Sequence, residues 1–413
     1  SVKIVVNRSG GAFMEKCIFC NLDLLRLNFT TPNIKTICRT FVNYINEINA
    51  DDNTQVYFVS RNTTDLCSAE ESYIRKGYRN FYFIHRTEAK GLVSLLDRQK
   101  QQFIFISGKD VDFHLAVNSQ SLFIVPDWIP NESSARKYGV VVDTPLQLFK
   151  FIKTLYNQQS WFAKSIIEPG VTALSLMDAR YRSKTYTENE RDMIINFENL
   201  LKRGRSRNYY DILMYHFLAG MTNTTLFDDI ELFGMIPSSD CSLNPDLFSF
   251  MHQVRVIKNR HIPRNISHGE NILLRMVPKL KAHESYRADE RANMGAIDEF
   301  RTLCVNPDFK NKIDTLRREN RLNLCIFDDY MTHGNTFNAV RNLFKALGAN
   351  KMVFVSLGSF KQPFRKKDYT INGSVYNIGY TYSLNRSSVK YFDYDDNAKY
   401  EVDELYDIFN QED

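Results

Sequence analysis

The stretch Leu324-Cys325-Ile326-Phe327-Asp328-Asp329-Tyr330-Met331-Thr332-His333-Gly334-Asn335-Thr336 decides how the chain is read. Its four leading apolar residues predict a strand buried on both faces, as in a parallel sheet. Two adjacent carboxylates, Asp328 and Asp329, stand at the carboxyl end of that strand, where open α/β sheets bind ligands. A short Thr/Gly loop follows and opens directly into a helix. Backbone N–H groups and hydroxyls at a helix start attract an anion, and Gly334 lets a ligand come close to the backbone. A ligand with phosphate at one end and hydroxyls at the other suits this run. Either aspartate alone would read as the end of a strand. The combination, with strand and helix in place, carries the chemistry.

Working outward, residues 336–347 put Phe337, Val340, Phe344 and Leu347 on one helical face and stop at Gly348. Further strands are expected at 230–236, 271–277, 322–327 and 352–357, with a helix at 245–256 that has Pro245 at its start. In the first 143 residues, strand patterns at 55–60, 81–84, 103–106 and 121–125 alternate with helical patterns at 34–48 and 89–99. Such alternation predicts a mainly parallel sheet. Residues 144–227 read as helical, with Leu146, Leu148, Phe149, Ile152 and Leu155 at helical spacing, as are Met193, Ile194, Phe197, Leu200 and Leu201. Residues 180–190 and 202–205 read as solvated connectors. The expected fold class is α/β: two Rossmann-like parallel-sheet domains, 1–143 and 228–413, joined by a helical segment, 144–227.

The chain has 413 residues, 43% hydrophobic and 24% charged, which excludes a disordered or fibrous design. A net charge of +5 is mildly basic and does not indicate nucleic acid, since a phosphate-handling enzyme would look the same. Seven cysteines, several inside apolar runs, predict reduced buried thiols. Cys17 and Cys20 have zinc-ribbon spacing but no second close pair to complete four ligands, so zinc is not expected. No charged-then-apolar leader is recognised, and no apolar run approaches the roughly 20 residues of a membrane span. A cytoplasmic protein without membrane attachment is therefore expected.

The run 324–336 closely resembles the phosphoribosyl-pyrophosphate motif of type I phosphoribosyltransferases: a strand, two acidic residues, two apolar ones and a Thr/Gly loop ending in Thr. The resemblance implies that Asp328 and Asp329 hold the ribose 2- and 3-hydroxyls, directly or through Mg²⁺. It implies that Thr332, His333, Gly334, Asn335 and Thr336 cradle the 5-phosphate. Tyr330 and His333 are unusual for the pattern but remove no needed group. Upstream, Leu274-Arg275, Lys279, Lys281, Ser285, Arg287, Arg291, Asn293 and Phe300 resemble the bacterial competence-associated subgroup, where a basic flexible loop precedes an Arg-x-Asn signature. Ser238 and Ser239 fall where the family has its pyrophosphate loop. The resemblance thus assigns Ser238, Ser239, Arg275, Lys279, Lys281, Arg287 and Arg291 to pyrophosphate, although each basic residue reads equally as a solvated charge. The zinc-ribbon cysteines typical of the subgroup are missing. Family members that salvage 6-oxopurines carry Asp where this chain has Thr332, which argues against such a substrate.

Near the beginning, Lys16-Cys17-Ile18-Phe19-Cys20-Asn21-Leu22-Asp23-Leu24-Leu25 resembles the first motif of haloacid-dehalogenase-like phosphatases, an apolar strand ending in Asp-x-Asp. Ser60 ends a later strand, Lys90 precedes a helix, and residues 105–112 with Asp110 resemble the acidic metal motif. This resemblance covers about residues 12–143. It departs at Asn21, where the family has its nucleophilic Asp: an amide is a poor nucleophile and weakens a Mg²⁺ site beside Asp23. The acidic motif also lacks an Asp at Gly108. The implied domain is phosphatase-like and degenerate, with Asp23 and Asp110 as metal ligands or simply as strand-end carboxylates.

Together these resemblances imply an enzyme with phosphoribosyl pyrophosphate as its small-molecule substrate and Mg²⁺ as cofactor. It would form or break a glycosidic bond in nucleotide-like metabolism, beside a domain that binds or dephosphorylates a phosphorylated intermediate. A homo-oligomer is the accompanying expectation. The alternative is a non-catalytic protein that senses phosphoribosyl ligands or binds a partner, in DNA uptake, stress or phage defence.

Overall fold

Aromatic and β-branched runs build the first of two units, and long apolar strands the second. The computed structural model describes residues 15–25, 32–51, 53–78, 80–95, 101–158, 161–180, 191–192, 195, 208–260, 262, 271–279 and 297–410. The chain divides at residue 153 into two compact units, and it passes from one to the other within a single helix.

The first unit carries six parallel strands: β1 (Glu15–Asn21), β2 (Thr54–Ser60), β3 (Phe81–His85), β4 (Gln101–Ile106), β5 (Leu122–Pro126) and β6 (Val140–Val142). Their order is β3-β2-β1-β4-β5-β6, so the chain winds outward in both directions from β1. That reversal makes a crevice at the carboxyl ends of β1 and β4. Helices α1 (Pro32–Asn49), α2 (Thr63–Arg75), α3 (Arg86–Leu95), α4 (Asp110–Asn118), α5 (Ser133–Tyr138) and α6 (Pro145–Asn157) make the connections and follow the last strand. Successive strand residues face opposite sides. On one side Phe19 stacks on Tyr57 and Phe105, with ring centroids 5.1 and 4.8 Å away. Cys17 and Cys20, three apart in β1, face opposite sides and so cannot share a ligand. Burial pushes the Cys17 thiol up to about 12 and Cys20 higher still, as expected of inert core thiols.

The second unit holds a six-stranded mixed sheet. In chain order its strands are β7 (Ala163–Glu168), β8 (Val171–Asp178), β9 (Leu232–Met235), β12 (Asn323–Met331), β13 (Lys351–Ser359) and β16 (Asp393–Tyr394). The spatial order is β16-β7-β8-β13-β12-β9; β8, β13, β12 and β9 run parallel, while β7 is antiparallel to both its neighbours, β8 and β16. Two expectations change here. Residues 144–227 are helical at α6 and at α7 (Asn208–Thr222), but 163–178 is a β-hairpin belonging to this sheet. The strand expected at 271–277 is the short β10 (Leu273–Arg275), which pairs only with β11 (Leu303–Val305), outside the sheet. The apolar positions 193–194, 197 and 200–201 and the connectors 181–190 and 202–205 lie outside the described residues.

Strand β12 is buried on both faces. Leu324 and Ile326 join the core cluster that includes Phe337, Val340 and Phe344 of α11 (Asn335–Ala346). The opposite face presents Phe327, whose ring lies 5.6 Å from Phe217 of α7 and 5.5 Å from Phe250 of α8 (Pro245–Ile257). Each such side chain contributes about 1.5–3 kcal/mol on burial, which fixes β12 between its helices. Helices α9 (Ile297–Phe300) and α10 (Lys310–Arg318) flank β11 in sequence. After the sheet come the hairpin β14 (Phe364–Asn372) and β15 (Thr381–Lys390), and the terminal α12 (Asn397–Asn410).

A charged network docks α11 onto β7 and β14. Arg341, fully buried, pairs with Glu168 at 2.8 Å and Asp368 at 2.7 Å, and Lys366 reaches Glu168 at 2.9 Å. Asn338 continues the seam: its amide donates to Lys367 O and its Oδ1 accepts from Lys367 N, at 3.0 and 3.1 Å. Burial acts to raise the Glu168 pKa, but Lys366, Arg341 and Lys345 outweigh it and hold the carboxyl at about 2. Among the described residues no helix is long and apolar enough to cross a membrane.

Candidate functional site

In the second unit, β12 continues past its apolar run and carries Asp328 and Asp329 beyond the buried stretch. Asp328 Oδ1 accepts from Asp329 N at 2.9 Å, and Asp329 Oδ1 accepts from Tyr330 N at 2.7 Å. Each carboxylate is thus braced by the next residue's backbone. Burial raises the Asp328 pKa well above the carboxylate range, and the neighbouring charges of Asp329 and Glu299 add to the rise. A divalent cation beside the pair would favour the ionised form that burial and crowding oppose. Asp328 and Asp329 are oxygen donors of the type that could hold Mg²⁺, although among the described residues no group of three or more His, Cys, Asp or Glu forms a fuller metal set.

The loop 332–336 turns the chain into α11. Gly334 is left-handed, at φ +69°, and an added Cβ would meet the Phe364 ring at 2.2 Å. Only glycine meets both conditions. The Gly334 carbonyl accepts from Asn338 N at 2.8 Å, which starts the helix, and Gly334 as N-cap brings no side chain to it. The N–H groups of a first helical turn are a favourable place for an anion. His333 contributes backbone more than charge: its carbonyl accepts from Arg365 N at 3.0 Å, while burial and the Arg365 charge lower the imidazole pKa.

One residue absent from the sequence reading stands at the centre. Glu299 is 2% exposed and lies 3.0 Å from Arg275 Nη2; it also pairs with Lys279. The Thr336 hydroxyl donates to its Oε1 at 3.0 Å. Burial would raise the Glu299 pKa, but Lys279 and Arg275 outweigh it and keep the group below the usual carboxylate range. Arg275 also donates to Thr302 Oγ1 at 2.6 Å and to Pro237 O at 3.2 and 3.3 Å. Its guanidinium is thereby engaged in holding the loop after β9. Lys279 N donates to Ser239 O at 2.8 Å and Ser238 N to Ser242 O at 2.8 Å, which sets Ser238 and Ser239 on that loop. The structure thus gathers Ser239, Arg275, Lys279 and Thr336 around Glu299. Lys281, Arg287 and Arg291 lie outside the described residues.

In the first unit the carboxyl ends of β1 and β4 bring together a different set from the one expected. Asn21 Nδ2 donates to Asp112 Oδ2 at 2.6 Å, and Asn21 Oδ1 accepts from Asp23 N at 2.8 Å. Ser107 Oγ donates to Asp112 Oδ2 at 2.7 Å, and Arg86 Nη2 meets Asp112 Oδ1 at 2.6 Å. The carboxylate facing Asn21 is therefore Asp112. Asp110 instead accepts from Ala135 N at 2.8 Å at the start of α5, and Asp23, exposed, lies 4.0 Å from Lys109. Neighbours two apart on a helix point about 200° apart, so Asp110 and Asp112 cannot face one target. Gly108 has no room for a carboxylate, because a Cβ there would stand 2.5 Å from Pro130 O. With Arg86 answering Asp112, these residues do not fit a divalent cation. Ser60 Oγ accepts from Asn62 N at 3.1 Å and Lys90 is exposed on α3.

No family model and no curated protein matches the chain. Among solved structures, a chain described as "GsuK channel bound to NAD" is similar at 14% identity, covering 83% of this chain and 61% of that one, with a TM-score of 0.20. This chain spans less than two thirds of that structure's length, and a superposition so loose carries no argument about fold or ligand.

Proposed function

We propose that the second unit binds 5-phosphoribosyl pyrophosphate and transfers its phosphoribosyl group, making the protein a phosphoribosyltransferase of nucleotide-like metabolism. One observation supports the reading: the crowded pair Asp328 and Asp329 stands just ahead of Gly334, whose left-handed turn leads directly into helix α11. The carboxylates accept the ribose 2- and 3-hydroxyls, and the N–H groups of the loop 332–336 hold the 5-phosphate. Substitution at ribose C1 passes through an oxocarbenium-like state while the C1–O bond to pyrophosphate breaks. Carboxylates near the ring stabilise the positive carbon, and Lys279 answers the charge that grows on the leaving pyrophosphate. Mg²⁺ held by Asp328 and Asp329 would neutralise charge between sugar and diphosphate. Thr332 argues against a 6-oxopurine acceptor. The first unit, lacking a nucleophile at Asn21, binds a phosphorylated compound without cleaving it. The protein works in the cytoplasm as a homo-oligomer.

A second reading is favoured by Glu299, which neutralises both described cations of the pyrophosphate side, as suits a protein that binds phosphoribosyl ligands as a sensor. Release of pyrophosphate from phosphoribosyl pyrophosphate separates the two. The transferase reading expects release that is lost in Asp328→Asn with Asp329→Asn. Binding without release in the parent protein supports the sensor.

A further inference from the structure

We infer that the first unit carries a separate binding cavity for a phosphorylated small molecule with an apolar body, of the nucleoside monophosphate class. The cavity holds about 590 Å³, within the range of small-molecule sites. Arg61, Arg86 and Lys90 line it, with His85 and His114, and no carboxylate is among the residues lining it. Neither Asn21 nor Asp110 takes part, so it differs from the site that the phosphatase resemblance names; only Lys90 is common to both. Arg61 and Lys90 make no ion pair among the described residues. Arg86 is held in place by Asp112 at 2.6 Å, yet its Nε is buried with no hydrogen-bond partner. A buried donor without an acceptor costs free energy until a guest supplies one. His85 is fixed by Thr87 Oγ1 at 2.8 Å and Arg61 O at 3.0 Å and serves as a wall.

The remainder of the lining mixes an apolar patch, Val93 of α3 with Val111 and Leu115 of α4, with the neutral polar side chains Thr87, Ser94, Asn118 and Ser119. A bare phosphate would leave the apolar patch unused, and an uncharged nucleoside would leave Arg61 and Lys90 unanswered. A phosphate attached to an apolar ring uses both. The inference deepens the reading of the first unit as a binder of phosphorylated compounds and relocates that binding to this cavity. It does not depend on transfer chemistry in the second unit.

The test is calorimetric titration of the intact chain carrying Asp328→Asn and Asp329→Asn, so that the second unit's site does not contribute. The probes are adenosine monophosphate, inorganic phosphate and adenosine. The expected result is that the monophosphate binds more tightly than either part, and that Arg61→Ser and Lys90→Ser each weaken it about tenfold. Both residues are exposed at the rim, so the fold does not rest on them, and unchanged thermal midpoints check this. The inference is overturned if the monophosphate fails to bind at millimolar concentration, if phosphate alone binds as well, or if neither variant weakens it. Pyrophosphate release by the Arg61→Ser protein without the aspartate changes, expected at the parent rate, keeps failure here distinct from failure of the transferase reading.

Discussion

The hydroxyl of Thr336 donates a 3.0 Å hydrogen bond to Glu299 Oε1, joining the loop 332–336 to a buried carboxylate that also holds Arg275 and Lys279. An anion settling at the loop competes with Glu299 for the same hydroxyl and the same lysine. The carboxylate therefore keeps the cations assembled while no ligand is bound, and it opposes the ligand's negative charge.

Replacing Glu299 with Gln removes the one charge that, among the described residues, answers Arg275. Breaking a buried pair from one side costs about 3–5 kcal/mol. A lower urea midpoint is expected, and inorganic pyrophosphate should restore more stability to Glu299→Gln than to the parent. An unchanged midpoint would remove Glu299 from its assigned place.

Asp328 illustrates the opposite sign. Its carboxylate is crowded by burial, Asp329 and Glu299, so ionisation at neutral pH works against folding. Asp328→Asn is expected to raise stability by on the order of 1 kcal/mol, and the thermal midpoint with it, while abolishing binding of the sugar phosphate. A variant that loses both stability and binding would mean that Asp328 holds the fold and not the ligand.

In the first unit, Asn21→Asp would set a carboxylate oxygen 2.6 Å from Asp112 Oδ2. Two such oxygens cannot both stay ionised. The variant should lose about 1–3 kcal/mol at neutral pH and regain part of it as the pH falls through the carboxylate range. It should gain no hydrolysis of a generic phosphate ester, because Arg86 already occupies the cation's place beside Asp112. Appearance of phosphatase activity would show that the nucleophile alone was missing.

The Glu168 network sets a pH dependence with a definite sign. Its carboxyl falls from the ordinary 4.5 to about 2, so its pairs contribute fully above 4.5 and are lost as the pH drops towards 2. After solvent screening the loss amounts to about 1–2 kcal/mol. Denaturation measured across this window should show Glu168→Gln less dependent on pH than the parent. Parallel curves would assign the dependence elsewhere.

What the sequence revealed was local. The apolar run ending in Asp328 and Asp329, the loop closed by Gly334 and the amphipathic face of Phe337, Val340 and Phe344 lie within a few turns of chain, and all fall in their expected elements. The hairpin of β7 and β8 was hidden by helical spacing in the residues around it, although Gly170, at φ +77°, marks its turn after Pro169. Glu299 was illegible because its partners come from distant parts of the chain, Arg275 on β10 and Thr336 on α11. Asp112 was passed over for Asp110 because the choice depends on where α4 begins, and a two-residue shift reverses the helix face.

Calorimetric binding of ribose 5-phosphate in the presence of Mg²⁺ tests the central claim most directly, because that ligand carries the phosphate and the hydroxyls without a leaving group. The parent protein should bind it, and Asp328→Asn with Asp329→Asn should lose at least about tenfold in affinity, as expected for removing charge-assisted hydrogen bonds to the sugar. No measurable binding by the parent, or equal binding by the double variant, would contradict the assignment of residues 324–336 as a phosphoribosyl site.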